Sequence, residues 1–196
     1  MSRLILLAPM LLFGVGGLYF LWIFLQSGNQ GPVHDNLVPE LIGFCMEGFF
    51  LIGLFSLIQR RRERERRQEL RQSLRGALRE ILSYLDIGLL AEDSEPADSK
   101  ALEEDPKMVA TLIVKLAEKP LELDAMARLK TVAERNLTTV HDLIPVAAQL
   151  SADHMRWWLA ITDSVRHLSE ATDKSSVVMA THQFLAKLGE FDELEL

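Results

Sequence analysis

The chain has 196 residues, a formal net charge of −7 and a single cysteine, Cys45, which excludes an intrachain disulfide and any cysteine-based zinc site. That length holds one membrane module and one modest soluble domain. No glycine-rich phosphate loop, nucleophile elbow or HExxH helix occurs, so the reading assigns no catalytic residue, no cofactor and no metal, and the chain is expected not to be an enzyme.

Charge divides the chain into three blocks. Residues 1–59 carry Arg3 against Asp35, Glu40 and Glu47; residues 60–79 hold nine Arg against three Glu; residues 80–196 hold 11 Lys or Arg against 22 acids. A basic stripe seeks anionic surfaces and an acidic domain avoids them, so the blocks speak of partners rather than of fold.

Residues 4–25 contain no charge. A helix of that length, at about 1.5 Å per residue, spans a hydrocarbon core of roughly 30 Å. A cleaved signal peptide would have a shorter apolar run ending at small residues, whereas this run ends in Trp22, Ile23, Phe24 and Leu25, so an uncleaved span is expected. A second apolar run covers residues 37–58. Between them, residues 27–36 lack Lys and Arg and contain Gly28, Asn29, Gly31 and Pro32, which predicts a short outer turn. Arg60, Arg61, Arg62, Arg64, Arg66 and Arg67 follow the second run and mark its cytoplasmic end. Residues 1–59 therefore read as a transmembrane hairpin with both chain termini in the cytoplasm, and Tyr19 and Trp22 sit near the outer interface.

Glu47 breaks the apolar pattern about ten residues into the second span, and an ionisable group at that depth is a functional hypothesis by default. If residue 26 is level with residue 37, antiparallel partners have numbers summing to about 63. That register puts Glu47 opposite Gly16, beside Gly14 and Gly17, as an intramembrane polar site. Two readings stay open: a neutral carboxyl hydrogen-bonded to a neighbouring helix that holds an oligomer together, or part of a polar, proton-linked pathway.

Residues 60–87 are rich in Arg, Glu, Gln and Leu and predict a basic amphipathic helix continuing from the second span. Leu70, Leu74, Ile81 and Leu85 recur at helical spacing with Ala77 and Tyr84, a seam under three heptads long that argues for packing on something more than for a coiled coil and is assigned to contact between copies, while Arg71, Arg75 and Arg79 form a separate basic row. The arginine block is read first as a topology determinant in contact with lipid headgroups. Nucleic acid is disfavoured because aromatic side chains are not interleaved with the arginines. Docking of an acidic partner, or of the acidic domain behind it, is the remaining reading.

Residues 88–105 are acidic, contain Pro96 and predict a flexible linker. Residues 106–189 predict a small helical bundle: a helix opened by Asp105 and Pro106 and stopped by Pro120, a longer one over 121–150 kinked or ended by Pro145, one capped by Ser151, and a last one over 173–188 before Gly189. Residues 190–196 predict a frayed acidic tail or a docking motif. Asp163, His167 and Glu170 share a face that could chelate a metal but reads as solvated surface. Trp157 and Trp158 cannot face one side together, and Trp157 is the candidate partner contact.

The sequence thus predicts an all-α protein made of an N-terminal two-helix transmembrane hairpin, a long basic juxtamembrane helix and a small cytoplasmic helical bundle. In layout it resembles the two-span membrane effectors attached to some bacterial antiphage systems, which implies a bacterial inner-membrane, homo-oligomeric effector that perturbs or permeates the bilayer and is controlled by a cytoplasmic protein regulator. The alternative is a non-transporting membrane anchor or assembly subunit that recruits a soluble partner. Beyond the lipid bilayer and further copies of itself, no partner is named by the residues.

Overall fold

The computed structural model describes residues 2–26, 32–90 and 95–195, and among them every regular element is an α-helix. In chain order these are α1 (Ser2–Gln26), α2 (Pro32–Gly88), α3 (Ser99–Glu104), α4 (Lys107–Glu118), α5 (Leu123–Asp142), α6 (Ile144–Leu150), α7 (Ala152–Glu170) and α8 (Lys174–Asp192). The chain forms two compact units, residues 1–65 and 66–196, and the division falls inside α2. Half of the expected outer turn, residues 27–31, lies outside the described residues, and residues 32–36 open α2 rather than forming part of a turn. Residues 91–94 of the acidic stretch also lie outside the described residues.

Two helices, α1 and α2, are long and apolar enough to cross a membrane. Only 6% of the residues in either apolar window are buried, unlike the mostly buried core helix of a soluble domain. α2 starts at Pro32, before the expected start at residue 37, because proline suits the first turn of a helix, where its missing N–H has no partner to lose.

In the second unit, α2 contributes five fully buried side chains to the core. Leu74, Leu78, Ile81, Leu82 and Leu85 are all inaccessible to water, packed with residues of α4, α5, α7 and α8 such as Leu112, Leu129, Trp158 and Phe184. α7 lies against α5, α6 and α8, and α4 against α8. Turn chemistry sets the breaks. Pro145 cannot donate the bond that would continue α5, so the predicted 121–150 helix divides at Leu143 into α5 and α6. Ser151 accepts from the His154 N–H at the start of α7, as its sequence position suggested, and Asp173 with Ser176 forms a capping box on α8.

Three expectations need correcting. The seam Leu70, Leu74, Ile81 and Leu85 does not face other copies: Leu74, Ile81 and Leu85 are consumed in the chain's own core and Leu70 packs against it. The segment 88–105 is not a featureless linker. Leu102 of α3 is buried, and buried Asp86 accepts from the Ala97 N–H at 2.7 Å and from Lys115 Nζ at 2.9 Å, which pins the chain ahead of α3. The tail does not begin at residue 190: α8 runs through Gly189 to Asp192, and Phe191 is fully buried against Trp158 and His154. Glycine lacks a side chain to pack but does not stop a helix whose next turn has an aromatic residue to bury.

Candidate functional site

In the first unit, the glycines of α1 receive α2 at short range. A Cβ placed on Gly17 would sit 3.3 Å from Cys45 Cβ, one on Gly16 3.6 Å from Cys45 Sγ, and one on Gly14 3.4 Å from the Phe49 ring. Gly48 of α2 is packed against Phe13, where an added Cβ would come within 2.7 Å. Facing numbers sum to between 61 and 63, in line with the register read from the sequence. The azimuth differs from the expectation: Cys45, not Glu47, lies on the glycine side. Two residues turn a helix by about 200°, so Glu47 faces away from α1 and is exposed.

The outward face of α2 has its own pattern. Asn36, Glu40, Gly43, Glu47, Phe50, Leu54 and Leu57 follow one another at alternating steps of four and three residues, and all are exposed. Phe50 is 63% exposed, and nothing lies within 4 Å of a Cβ added to Gly43. Both carboxyl groups of the apolar stretch therefore share one uncovered stripe. Among the described residues Glu47 has no hydrogen-bond or ion-pair partner.

In the second unit, the arginine row of α2 meets the end of α8. Arg71 donates to the carbonyl oxygens of Phe191 and Asp192 at the C-terminus of α8 and of Leu194 just beyond it, adding a side-chain donor where the helix runs out of backbone ones. Arg75 forms an ion pair with Asp192 and also donates to the Leu102 carbonyl at 3.0 Å and the Asp105 carbonyl at 3.3 Å. Arg79 binds Glu103 at 2.7 Å. This one row thus ties α8, α3 and the start of α4 to α2. Burial pushes the Asp192 carboxyl up from its ordinary range, with the Arg75 guanidinium pulling it back.

His154 lies beside this junction, 2% exposed, with its ring edge-on to Phe191 at 5.4 Å. Burial lowers its pKa below the ordinary 6.5, and Arg71 adds to the shift. Among the described residues, Nε2 of His154, Nε of Arg75 and Oδ1 of Asp192 are buried without a hydrogen-bond partner. Sequence reasoning missed this cluster. The signal was present as a basic row and an acidic C-terminal stretch of opposite sign.

The remaining candidates fall apart in space. Arg60, Arg61, Arg62, Arg64 and Arg66 are exposed and Arg67 is half-buried; Arg61 pairs with Glu65 at 2.9 Å and Arg66 donates to Gln149 at 3.0 Å. Trp158 is the buried tryptophan and donates its indole N–H to the Val140 carbonyl at 2.9 Å. Trp157 is half-buried under Lys187, whose ammonium lies 5.2 Å from the ring centre. His167 reaches Asp163 at 3.8 Å on the surface, and no group of three metal-binding side chains occurs among the described residues. Compared with known protein families, curated proteins and solved structures, the chain matches none of them.

Proposed function

We propose that the chain is a two-span protein of a bacterial inner membrane with both termini in the cytoplasm, acting as a homo-oligomeric effector that permeates or perturbs the bilayer under control of its helical unit. The observation that carries this reading is the double use of α2. Its residues 36–58 are largely apolar and, apart from the face against α1, exposed, while Leu74, Leu78, Ile81, Leu82 and Leu85 of the same helix are buried in the core of the second unit. A regulator that alters the bundle would act on the helix that continues into the span.

Oligomerisation is supported by the outward stripe of α2. Carboxyl groups in a span face other protein or a wet cavity rather than acyl chains. A two-helix hairpin has no interior of its own to hide Glu40 and Glu47, and steps of four and three residues are the spacing at which helices pack side by side. Copies meeting along Glu40, Gly43 and Glu47 would enclose the carboxyls. Orientation is supported by the exposed arginines from Arg60 to Arg66 and by the absence of Lys and Arg from residues 27–36. A role in antiphage defence draws on the resemblance of layout.

Expression in bacteria with a potential-sensitive dye tests the reading. Induction should depolarise cells, and Glu47→Leu should abolish the depolarisation at equal protein level. Quiet expression of the intact protein, with a soluble partner recovered on it, favours the anchor instead. A reporter active only outside the cytoplasm, fused after Asn29, should be active, and the same fusion after Leu196 silent.

A further inference from the structure

The junction between α2, α7 and the end of α8 combines tight burial with incomplete pairing. Phe191 is fully buried and Asp192 is paired with Arg75, yet three polar atoms in the same cluster lack partners among the described residues. α8 ends here, and beyond Asp192 the Leu194 carbonyl is bound by Arg71 of α2. Release of this turn would therefore break a short segment free without dismantling the bundle.

The groups around His154 give that release a trigger. On α2, Arg67 and Arg71 add positive potential at the ring; on α7 itself, Asp153 opposes them from a solvent-exposed position; on α8, Asp192 is engaged by Arg75. Ser151 Oγ accepts the His154 backbone N–H, so its own hydrogen is available to His154 Nδ1, 2.8 Å away. The ring is then neutral, accepting at Nδ1 and carrying its hydrogen on Nε2, where no partner meets it among the described residues; a second proton would enter at Nδ1 and displace the Ser151 hydroxyl hydrogen. That second proton adds a buried cation beside Arg67 and Arg71, opposed among the described residues only by the solvent-exposed carboxylate of Asp153.

We propose that the last turn of α8 is a proton-released clasp, in which protonation of His154 detaches Phe191 and Asp192 from Arg71 and Arg75 of α2. The clasp concerns the second unit alone and does not depend on the membrane-effector reading. It gives that unit a closed state near neutral pH and an opened C-terminal turn in mild acid.

The size of the response follows from linkage. If His154 titrates at its ordinary 6.5 when open and stays neutral when closed, the opening equilibrium rises by 1 + 10^(6.5 − pH). Between pH 7.5 and pH 5.5 that is about a tenfold increase. The test is amide hydrogen exchange on the full-length protein in detergent, corrected for the intrinsic pH dependence of exchange. Amides of residues 189–195 should open about tenfold more at pH 5.5 than at pH 7.5, with α5 and the middle of α7 unchanged. His154→Gln should remove the pH dependence, while Asp192→Asn should raise opening at both pH values and keep the ratio. A wild-type ratio near one, or a tenfold ratio surviving in His154→Gln, overturns the clasp. An NMR titration of the wild type needs no variant: a His154 ring that protonates with a midpoint near 6.5 while residues 189–195 stay protected also overturns it. Depolarisation in cells and opening of this turn are separate readouts, so either proposal can fail alone.

Discussion

Arg75 and Asp192 stand 117 positions apart in the chain and meet as an ion pair whose side chains are 4% and 3% exposed. A pair so well sealed adds little over an apolar contact, but breaking it from one side strands a charge in the core. Arg75→Met should therefore destabilise the protein by about 3–5 kcal/mol. Arg75→Met combined with Asp192→Leu should recover part of that loss, and the rest should persist because the Leu102 and Asp105 carbonyls lose their donor. Chemical denaturation followed by tryptophan fluorescence measures both. A double variant no more stable than Arg75→Met would mean that Asp192 is not the group left stranded.

The burial of α2 sets the boundary of the smallest folding unit. A fragment of residues 66–196 keeps Leu74, Leu78, Ile81, Leu82 and Leu85 and should be soluble, helical and cooperative in thermal unfolding. A fragment of residues 104–196 has the whole predicted bundle but lacks these side chains and Leu102. It should expose the apolar faces of α4, α5 and α7, bind hydrophobic dyes and aggregate. Equal cooperativity in the two fragments would deny α2 its place in the core. Within the longer fragment, Ile81→Ala should cost about 2–5 kcal/mol.

Gly76 offers the opposite sign. It lies inside α2 with nothing within 4 Å of an added Cβ, beside a surface hollow of about 360 Å³ lined by Glu80, Ser83, Ser99 and Asn136. Glycine inside a helix carries an entropic penalty that alanine lacks. Gly76→Ala should stabilise the 66–196 fragment by about 0.4–1 kcal/mol in urea denaturation. A loss of stability would show that the space is needed.

Local signals made the all-helical class, the two apolar helices, the Ser151 cap and the break near Pro145 legible, since each depends on a few neighbouring residues. The partner of each helix face was not. Leu70, Leu74, Ile81 and Leu85 make the same seam whether they meet another copy or α4, α5, α7 and α8, because periodicity names a face and not what covers it. Charge composition suggested a linker over 88–105, and one buried carboxylate, Asp86, was enough to anchor its second part through Ala97. For the hairpin, turn length fixed the level of Glu47 and Cys45. It could not fix azimuth, so the residue against Gly16 and Gly17 was misplaced by two positions.

The titrations of the second unit have signs that can be worked out. His154 has a lowered pKa in the fold, so its contribution is complete above 6.5 and is lost as pH falls through that region. Asp192 has a raised pKa, so its contribution is complete below about 3.8 and is lost as pH rises through its folded value. The His154 contribution makes the unfolding free energy of the 66–196 fragment fall between pH 7.5 and pH 5.5, Asp192 acts in the opposite sense, and His154→Gln should remove the fall. A slope of the opposite sign, or one unchanged in His154→Gln, would assign the dependence to other groups.

Glu47 and Cys45 occupy opposite faces of α2, and this separates the hairpin contact from contacts between copies. Cys45 is buried against the glycines of α1, whereas Glu47 is exposed on the stripe with Gly43 and Phe50. In membranes, a cysteine at position 47 with Cys45→Ser should crosslink between chains under oxidation, and native Cys45 should not. Glu47→Gln keeps size and a hydrogen-bond donor, so it should preserve the oligomer in detergent. Glu47→Leu should weaken association by on the order of 1 kcal/mol per helix contact, since intramembrane hydrogen bonds are modest. Depolarisation then separates glue from pathway: if the carboxyl only joins copies, Gln retains full activity, and if its ionisation serves the path, Gln assembles but stays silent. Replacement on the other face has a different signature. Gly48→Leu collides with Phe13, so it should loosen α1 from α2 and expose Cys45 to thiol reagents, whereas Glu47→Leu should leave Cys45 protected. Efficient Cys45 to Cys45 crosslinking in the unmodified protein would place the oligomer contact on the glycine face and overturn the assignment of the stripe.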